Sequence, residues 1–91
     1  MDTYPENGYV GAVLARVYVT LKPGVLDPAG KAVERGLHSL GYGEVGSVRL
    51  GKYLELNVAE SDPAKAKSRV EEMCKRLLAN TVVENFRVEL T

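Results

Sequence analysis

Ninety-one residues suffice for one small domain, which hides only about 60–65% of the surface of its unfolded chain. Twelve Lys and Arg balance twelve Asp and Glu, so the positive excess that drives nucleic-acid and anionic-membrane binding is missing. One cysteine closes no internal disulfide, and no run reaches the 18 or so apolar residues of a membrane helix.

The first eight residues, Met1-Asp2-Thr3-Tyr4-Pro5-Glu6-Asn7-Gly8, mix acids, Pro and Gly and carry no basic segment. They read as a flexible extension and not as a secretory signal, so the cytoplasm is the expected compartment. Residues 9–91 are expected to form a single domain. From Tyr9 to Leu21 the pattern is that of a strand, with Val13, Ala15, Val17, Val19 and Leu21 on one face. Val10, Ala12 and Leu14 begin the other face, which turns polar at Arg16, Tyr18 and Thr20. Lys22-Pro23-Gly24-Val25-Leu26-Asp27-Pro28 then supplies a rigid φ, a permissive φ, a helix N-cap and a first-turn proline.

A helix is expected from Asp27 to Leu40, with Ala29, Val33, Gly36, Leu37 and Leu40 at helical spacing. Gly41 stands ready for the left-handed position after it. Val45–Leu50 and Tyr53–Val58 read as two short strands joined by a Gly51-Lys52 hairpin. Asp62-Pro63 repeats the cap-then-proline start. The second helix runs to about Leu78 and presents Ala66, Val70, Met73, Cys74 and Leu77. A last strand, Val83–Leu90, turns Phe86, Val88 and Leu90 inward. The order β-α-β-β-α-β implies an α+β, ferredoxin-like sandwich: a four-stranded antiparallel sheet with both helices on one face.

Motifs with chemical meaning fail on context. Gly41-Tyr42-Gly43-Glu44-Val45-Gly46 spells G-x-G-x-x-G, yet it follows a helix and enters a strand, the reverse of what a pyrophosphate site needs. His38 has no second ligand or nucleophile within reach, and its neighbour Ser39 points away from it on a helix. Cys74 falls on the apolar stripe, where a free thiol behaves as a small hydrophobe. The carboxylates are dispersed and read as a solvated surface. No catalytic, cofactor-binding or metal-binding residue is therefore expected. Tyr18 and Tyr53 lie on the sheet face opposite the helices, where RNA-recognition domains carry stacking aromatics. Gly51-Lys52-Tyr53-Leu54-Glu55-Leu56 does not match the signature of those domains, and a protein interface suits the tyrosines better. Strand length agrees: thirteen residues span about 40 Å against about 20 Å for six-residue neighbours, leaving half of the first strand to pair elsewhere. The expected interface residues are Val10, Ala12, Leu14, Tyr18, Lys22, Arg49, Lys52 and Tyr53, and the expected assembly is a homodimer or a tetramer.

Four blocks together carry a family resemblance. Arg16-Val17-Tyr18-Val19-Thr20-Leu21-Lys22-Pro23-Gly24-Val25-Leu26-Asp27-Pro28 is followed by Ser39-Leu40-Gly41-Tyr42, by Gly51-Lys52-Tyr53-Leu54-Glu55-Leu56 and by Met73-Cys74-Lys75-Arg76-Leu77-Leu78-Ala79-Asn80. In order and spacing, from about Val13 to Leu90, they resemble the PurS family, small subunits of phosphoribosylformylglycinamidine synthase. Asn80-Thr81-Val82 departs from the Asn-Pro that members commonly carry, which implies a looser turn into the last strand. The resemblance implies a non-catalytic subunit bridging a PurQ-type glutaminase to a PurL-type synthetase. Such an assembly converts formylglycinamide ribonucleotide, glutamine and ATP to formylglycinamidine ribonucleotide, ADP, phosphate and glutamate. ATP and Mg would sit on the synthetase, and nothing on this chain. Two other readings remain at this stage. One is a small-molecule-binding regulatory domain of ACT type, which shares the element order. The other is an acylphosphatase-like enzyme, whose first loop would need an arginine where this chain has Lys22 and Asp27.

Overall fold

The structure is a computed structural model and describes residues 12–91. Strand β1 (Val13–Leu21) leads to helix α1 (Pro28–Ser39), strand β2 (Gly51–Val58), helix α2 (Pro63–Met73) and strand β3 (Glu84–Leu90). The three strands form one antiparallel sheet in the order β2-β1-β3.

The alternation along β1 sets the core. Val13, Ala15, Val17 and Val19 are buried, while Leu14, Arg16 and Tyr18 are half-buried on the opposite face. Their ladder partners on the buried face are Leu54, Leu56 and Val58 of β2 and Phe86, Val88 and Leu90 of β3. Helix α2 closes this face with Ala66, Val70, Met73 and Cys74. A π turn, Cys74–Leu78, follows α2 and ends in an Ala79 amide donating to the Cys74 carbonyl at 2.9 Å. Its extra residue breaks the 3.6-residue spacing. Leu78 therefore packs on the core and Leu77, expected inward, is 82% exposed.

Both proline-initiated helix starts form as expected. The Asp27 carboxylate accepts from the Gly30 amide at 2.8 Å, and Asp62 accepts from the Ala64 amide at 3.0 Å. Val25 N–H donates to the Lys22 carbonyl across Pro23-Gly24, with Gly24 at φ 88°, the conformation a type II turn asks of its third residue. At the far end of α1, Tyr42 N–H reaches the Leu37 carbonyl and Gly41 N–H the His38 carbonyl, with Gly41 at φ 101°. This is a Schellman motif around the expected glycine.

Three groups of expectations fail, the first around residues 45–52. Val45–Leu50 is not a strand, Gly51-Lys52 is not a hairpin, and the sheet of the described residues has three strands instead of four. Gly51 and Lys52 instead open β2, opposite Thr20 and Val19. The reason is parity. A two-residue hairpin would set Leu50 opposite Tyr53, sending Leu50 and Val48 to the open face and Arg49 and Ser47 to the core. A straight run through Gly51 gives Leu50 and Val48 the same facing as Leu54 and Leu56.

The second failure concerns α1, which does not join α2 on the sheet. Gly30 is its only buried residue, Val33 is 43% exposed and Leu40 75%. Its partner is the returning segment 45–50. His38 Nε2 lies 2.7 Å from the Val45 carbonyl at one end, and the Leu50 amide donates to Asp27 Oδ2 at 3.0 Å at the other. A Cβ at Gly30 would overlap the Val48 carbonyl between them. The third concerns β1, which is paired with β2 over Val13–Thr20 and with β3 over Ala15–Leu21. Within the described residues it has no excess length, and Tyr9 and Val10 lie outside them.

Candidate interaction surface

The open sheet face is built by register. Tyr18 stands between Tyr53 and Arg87, and Arg16 stands between Glu55 and Glu89. The two tyrosine rings are tilted at 41° with centroids 5.1 Å apart, and the Arg87 guanidinium lies 4.1 Å over the Tyr18 ring. Tyr18 donates its hydroxyl to Glu89 at 3.0 Å, and Tyr53 donates to Glu55 at 2.6 Å. Arg87 pairs with Glu89, and Arg16 approaches Glu55 at 4.0 Å.

These contacts displace the titrations in a consistent pattern. Hydrogen bonds from Tyr18 and then Arg87 hold the Glu89 carboxyl below its ordinary range. The acceptor Glu89 raises Tyr18, and the acceptor Glu55 raises Tyr53, because each phenolate would face a carboxylate. Around Tyr18 the face is a charge-matched, hydrogen-bonded surface.

The expected interface residues thus divide. Leu14, Tyr18 and Tyr53 share the open face, with Leu14 half-buried opposite Asn57. Ala12 is half-buried just ahead of β1, and Val10 lies outside the described residues. Lys52 is on the other face: opposite Val19, it reaches over the helical end and donates to the Leu78 carbonyl at 2.9 Å. That is a cap on unsatisfied carbonyls, not a free cation. Lys22 follows the last residue of β1, and its amide donates to the Val83 carbonyl at 2.8 Å. Arg49 sits on segment 45–50 near Asp27. Arg87 and Glu89 were not anticipated as interface residues. Their charges are visible in the sequence, but the register that places them beside Arg16 and Tyr18 is long-range.

The groups with chemical potential are engaged structurally. Cys74 is fully buried, and that burial raises its thiol pKa, the opposite of an activated thiolate. His38 is spent on the Val45 carbonyl. Asp27 is held below its ordinary range by the Leu50 and Gly30 amides, an anchor between α1 and the returning segment. Among the described residues no cluster of His, Cys, Asp and Glu could hold a metal ion, and no helix is long and apolar enough to cross a membrane.

Comparison with known proteins bears directly on this arrangement. The family model described as PurS, phosphoribosylformylglycinamidine (FGAM) synthase, matches residues 14–91. A phosphoribosylformylglycinamidine synthase subunit PurS from Synechocystis is 55% identical over 76 residues, 84% of this chain and 76% of that protein. The crystal structure of Bacillus subtilis PurS superposes with a TM-score of 0.77 at 51% identity, covering 87% of this chain and 98% of that one. A chain in the structure of PurLQS from Thermotoga maritima gives a TM-score of 0.81 at 32% identity, covering 88% and 98%.

Proposed function

We propose a bridging role from one premise: the chain belongs to the PurS family and is a small subunit of phosphoribosylformylglycinamidine synthase, in purine biosynthesis. In this reading it joins a PurL-type synthetase to a PurQ-type glutaminase and supplies no reacting group itself. The related Thermotoga chain occurs in a PurLQS structure, which supports that choice of partners. The assembly would work in the cytoplasm. The glutaminase would release ammonia, and the synthetase, with ATP and Mg, would activate the amide oxygen of formylglycinamide ribonucleotide for its replacement by nitrogen. This chain would also pair with itself, as a homodimer or a tetramer, because α1 and β2 leave apolar side chains uncovered.

The observation that carries the reading is the structural employment of four groups that could otherwise do chemistry, His38, Lys52, Asp27 and Cys74. His38 holds a loop, Lys52 caps a helical end, Asp27 ties α1 to segment 45–50, and Cys74 fills the core. Reconstitution of the three subunits tests it. Omitting this chain should abolish glutamine-dependent synthesis and largely spare synthesis from added ammonium. His38→Gln in an intact assembly should leave the rate within a few-fold. A thousandfold loss, about 4 kcal/mol of barrier, would make the chain a catalyst and end the bridging reading.

A further inference from the structure

Helix α2 and its π turn carry a charge that the rest of the chain offsets. Between Pro63 and Leu78 stand five cations, Lys65, Lys67, Arg69, Lys75 and Arg76, against Glu71 and Glu72. That is an excess of three positive charges in a chain of net charge zero. Part of it lines one groove. Two adjoining hollows share Arg69 and Met73: one lies between α2 and the end of β2 and reaches Lys65, and the other runs along α2 to Arg76 and Leu77. The π turn brings Leu77 there, out of the core-facing spacing of an uninterrupted helix. The acids of the groove are engaged, since Glu72 pairs with Arg69 at 3.8 Å and Glu60 accepts the Asp62 amide at 3.1 Å. Among the described residues Lys65 and Arg76 have no ion-pair partner.

We propose that the chain's own leading segment, residues 1–11, covers this groove as a strap, with Glu6 at Arg69 and Asp2 at Arg76. The segment precedes the described residues, and residues 1–13 precede the family match. Its point of attachment is the first support. The described chain starts at Ala12, directly ahead of Val13, whose ladder partner is Val58. Val58, Ala59 and Glu60 line the near end of the groove.

Reach and charge are the second and third. Eleven residues extend to at most about 40 Å, whereas Arg69 to Arg76 spans about 10 Å at 1.5 Å per residue. The segment's charged side chains are Asp2 and Glu6, with no Lys or Arg to oppose the groove's cations. On an extended strap Asp2, Tyr4 and Glu6 share one side, and the two acids stand about 13 Å apart. That spacing fits the two arginines and sets Tyr4 between them, over Met73 and Leu77. Pro5 favours an extended backbone and leaves one fewer amide to satisfy, and Gly8 and Gly11 let the connection bend off β1. Single exposed ion pairs are weak, but a tethered segment meets its groove at an effective concentration of the order of millimolar.

The methionines supply the test. There are two, Met1 and Met73, so a methionine-methyl NMR spectrum carries one reporter on the strap and one in the groove. Deleting residues 2–11 should move the Met73 resonance. Asp2→Asn with Glu6→Gln in the full-length chain should move it the same way, and so should raised salt on the unaltered chain, because exposed charges are screened. Unlabelled full-length chain, added at tens of micromolar to the labelled deletion variant, should leave Met73 where it is. A Met73 resonance that is the same with and without residues 2–11 overturns the strap. A shift on deletion that neither the double substitution nor salt reproduces overturns the pairing of Asp2 and Glu6 with the arginines. A shift restored by the added chain shows the segment acting between copies, and overturns its docking on its own groove.

Discussion

Asp27 and Asp62 occupy the same place in two similar sequences, yet they do unequal work. The Asp62 carboxylate accepts the Ala64 amide, two residues along the same helix start. Asp62→Ala should therefore cost about 1 kcal/mol, the usual value of an N-cap, read from a urea titration. Asp27 accepts the Gly30 amide and also the Leu50 amide, 23 residues further along. Asp27→Ala should lower the denaturation midpoint more than Asp62→Ala does, and should speed hydrogen exchange at Leu50. Equal midpoints would mean that the Leu50 contact contributes nothing. Cap and proline are legible in the sequence because both act within one helical turn. The second acceptor role was not, since it depends on a segment returning from the other end of α1.

Elements show where local pattern stops deciding. The buried alternation of β1, both helices, Gly41 as helix stop and the inward Phe86, Val88 and Leu90 all follow from periodicity, and all form. Val45–Leu50 carries the same strand-like composition, but a strand exists only where a ladder partner does, and no local signal reports the partner. The π turn is hidden for a related reason. Leu77 and Leu78 are both leucines, and only the insertion of one residue decides which is covered. Leu78→Ala should cost about 2 kcal/mol, the low end for truncating a packed leucine, while Leu77→Ala should shift the midpoint by less than about 0.5 kcal/mol, as exposed substitutions do. Similar losses at both positions would argue for an uninterrupted α-helix. Gly30 makes the matching test for segment 45–50. Its Cβ position is filled by the Val48 carbonyl and the Asp27 carboxylate, so Gly30→Ala should free segment 45–50 from α1 despite alanine's better helix propensity. Circular dichroism should retain the helix while exchange at Leu50 accelerates.

For the molecule as a whole, displaced carboxyls lie at two places among the described residues, the α1 anchor and the open sheet face, and both are displaced downward. Asp27 and Glu89 each bind their proton more weakly in the folded chain than in the unfolded one. The unfolded state therefore holds more protons at mildly acidic pH, and stability rises with pH there. Their contribution is complete above the ordinary carboxyl values of 3.8 and 4.5 and is lost as pH falls through the lowered folded values. The tyrosines act in the opposite range. Tyr18 and Tyr53 are raised above 10.0, so their contribution is complete below that value and disappears as pH climbs through the folded ones. The buried Cys74 thiol, raised from 9.0, behaves in the same way from a lower start, so denaturation midpoints should fall off below about pH 4.5 and again above about pH 9. Glu89→Gln removes the carboxylate that both depresses its own titration and raises that of Tyr18. It should shallow the acid slope and move the Tyr18 absorbance transition back toward 10.0. An unchanged Tyr18 transition in that variant would mean that the Tyr18–Glu89 hydrogen bond does not hold the open face together in solution.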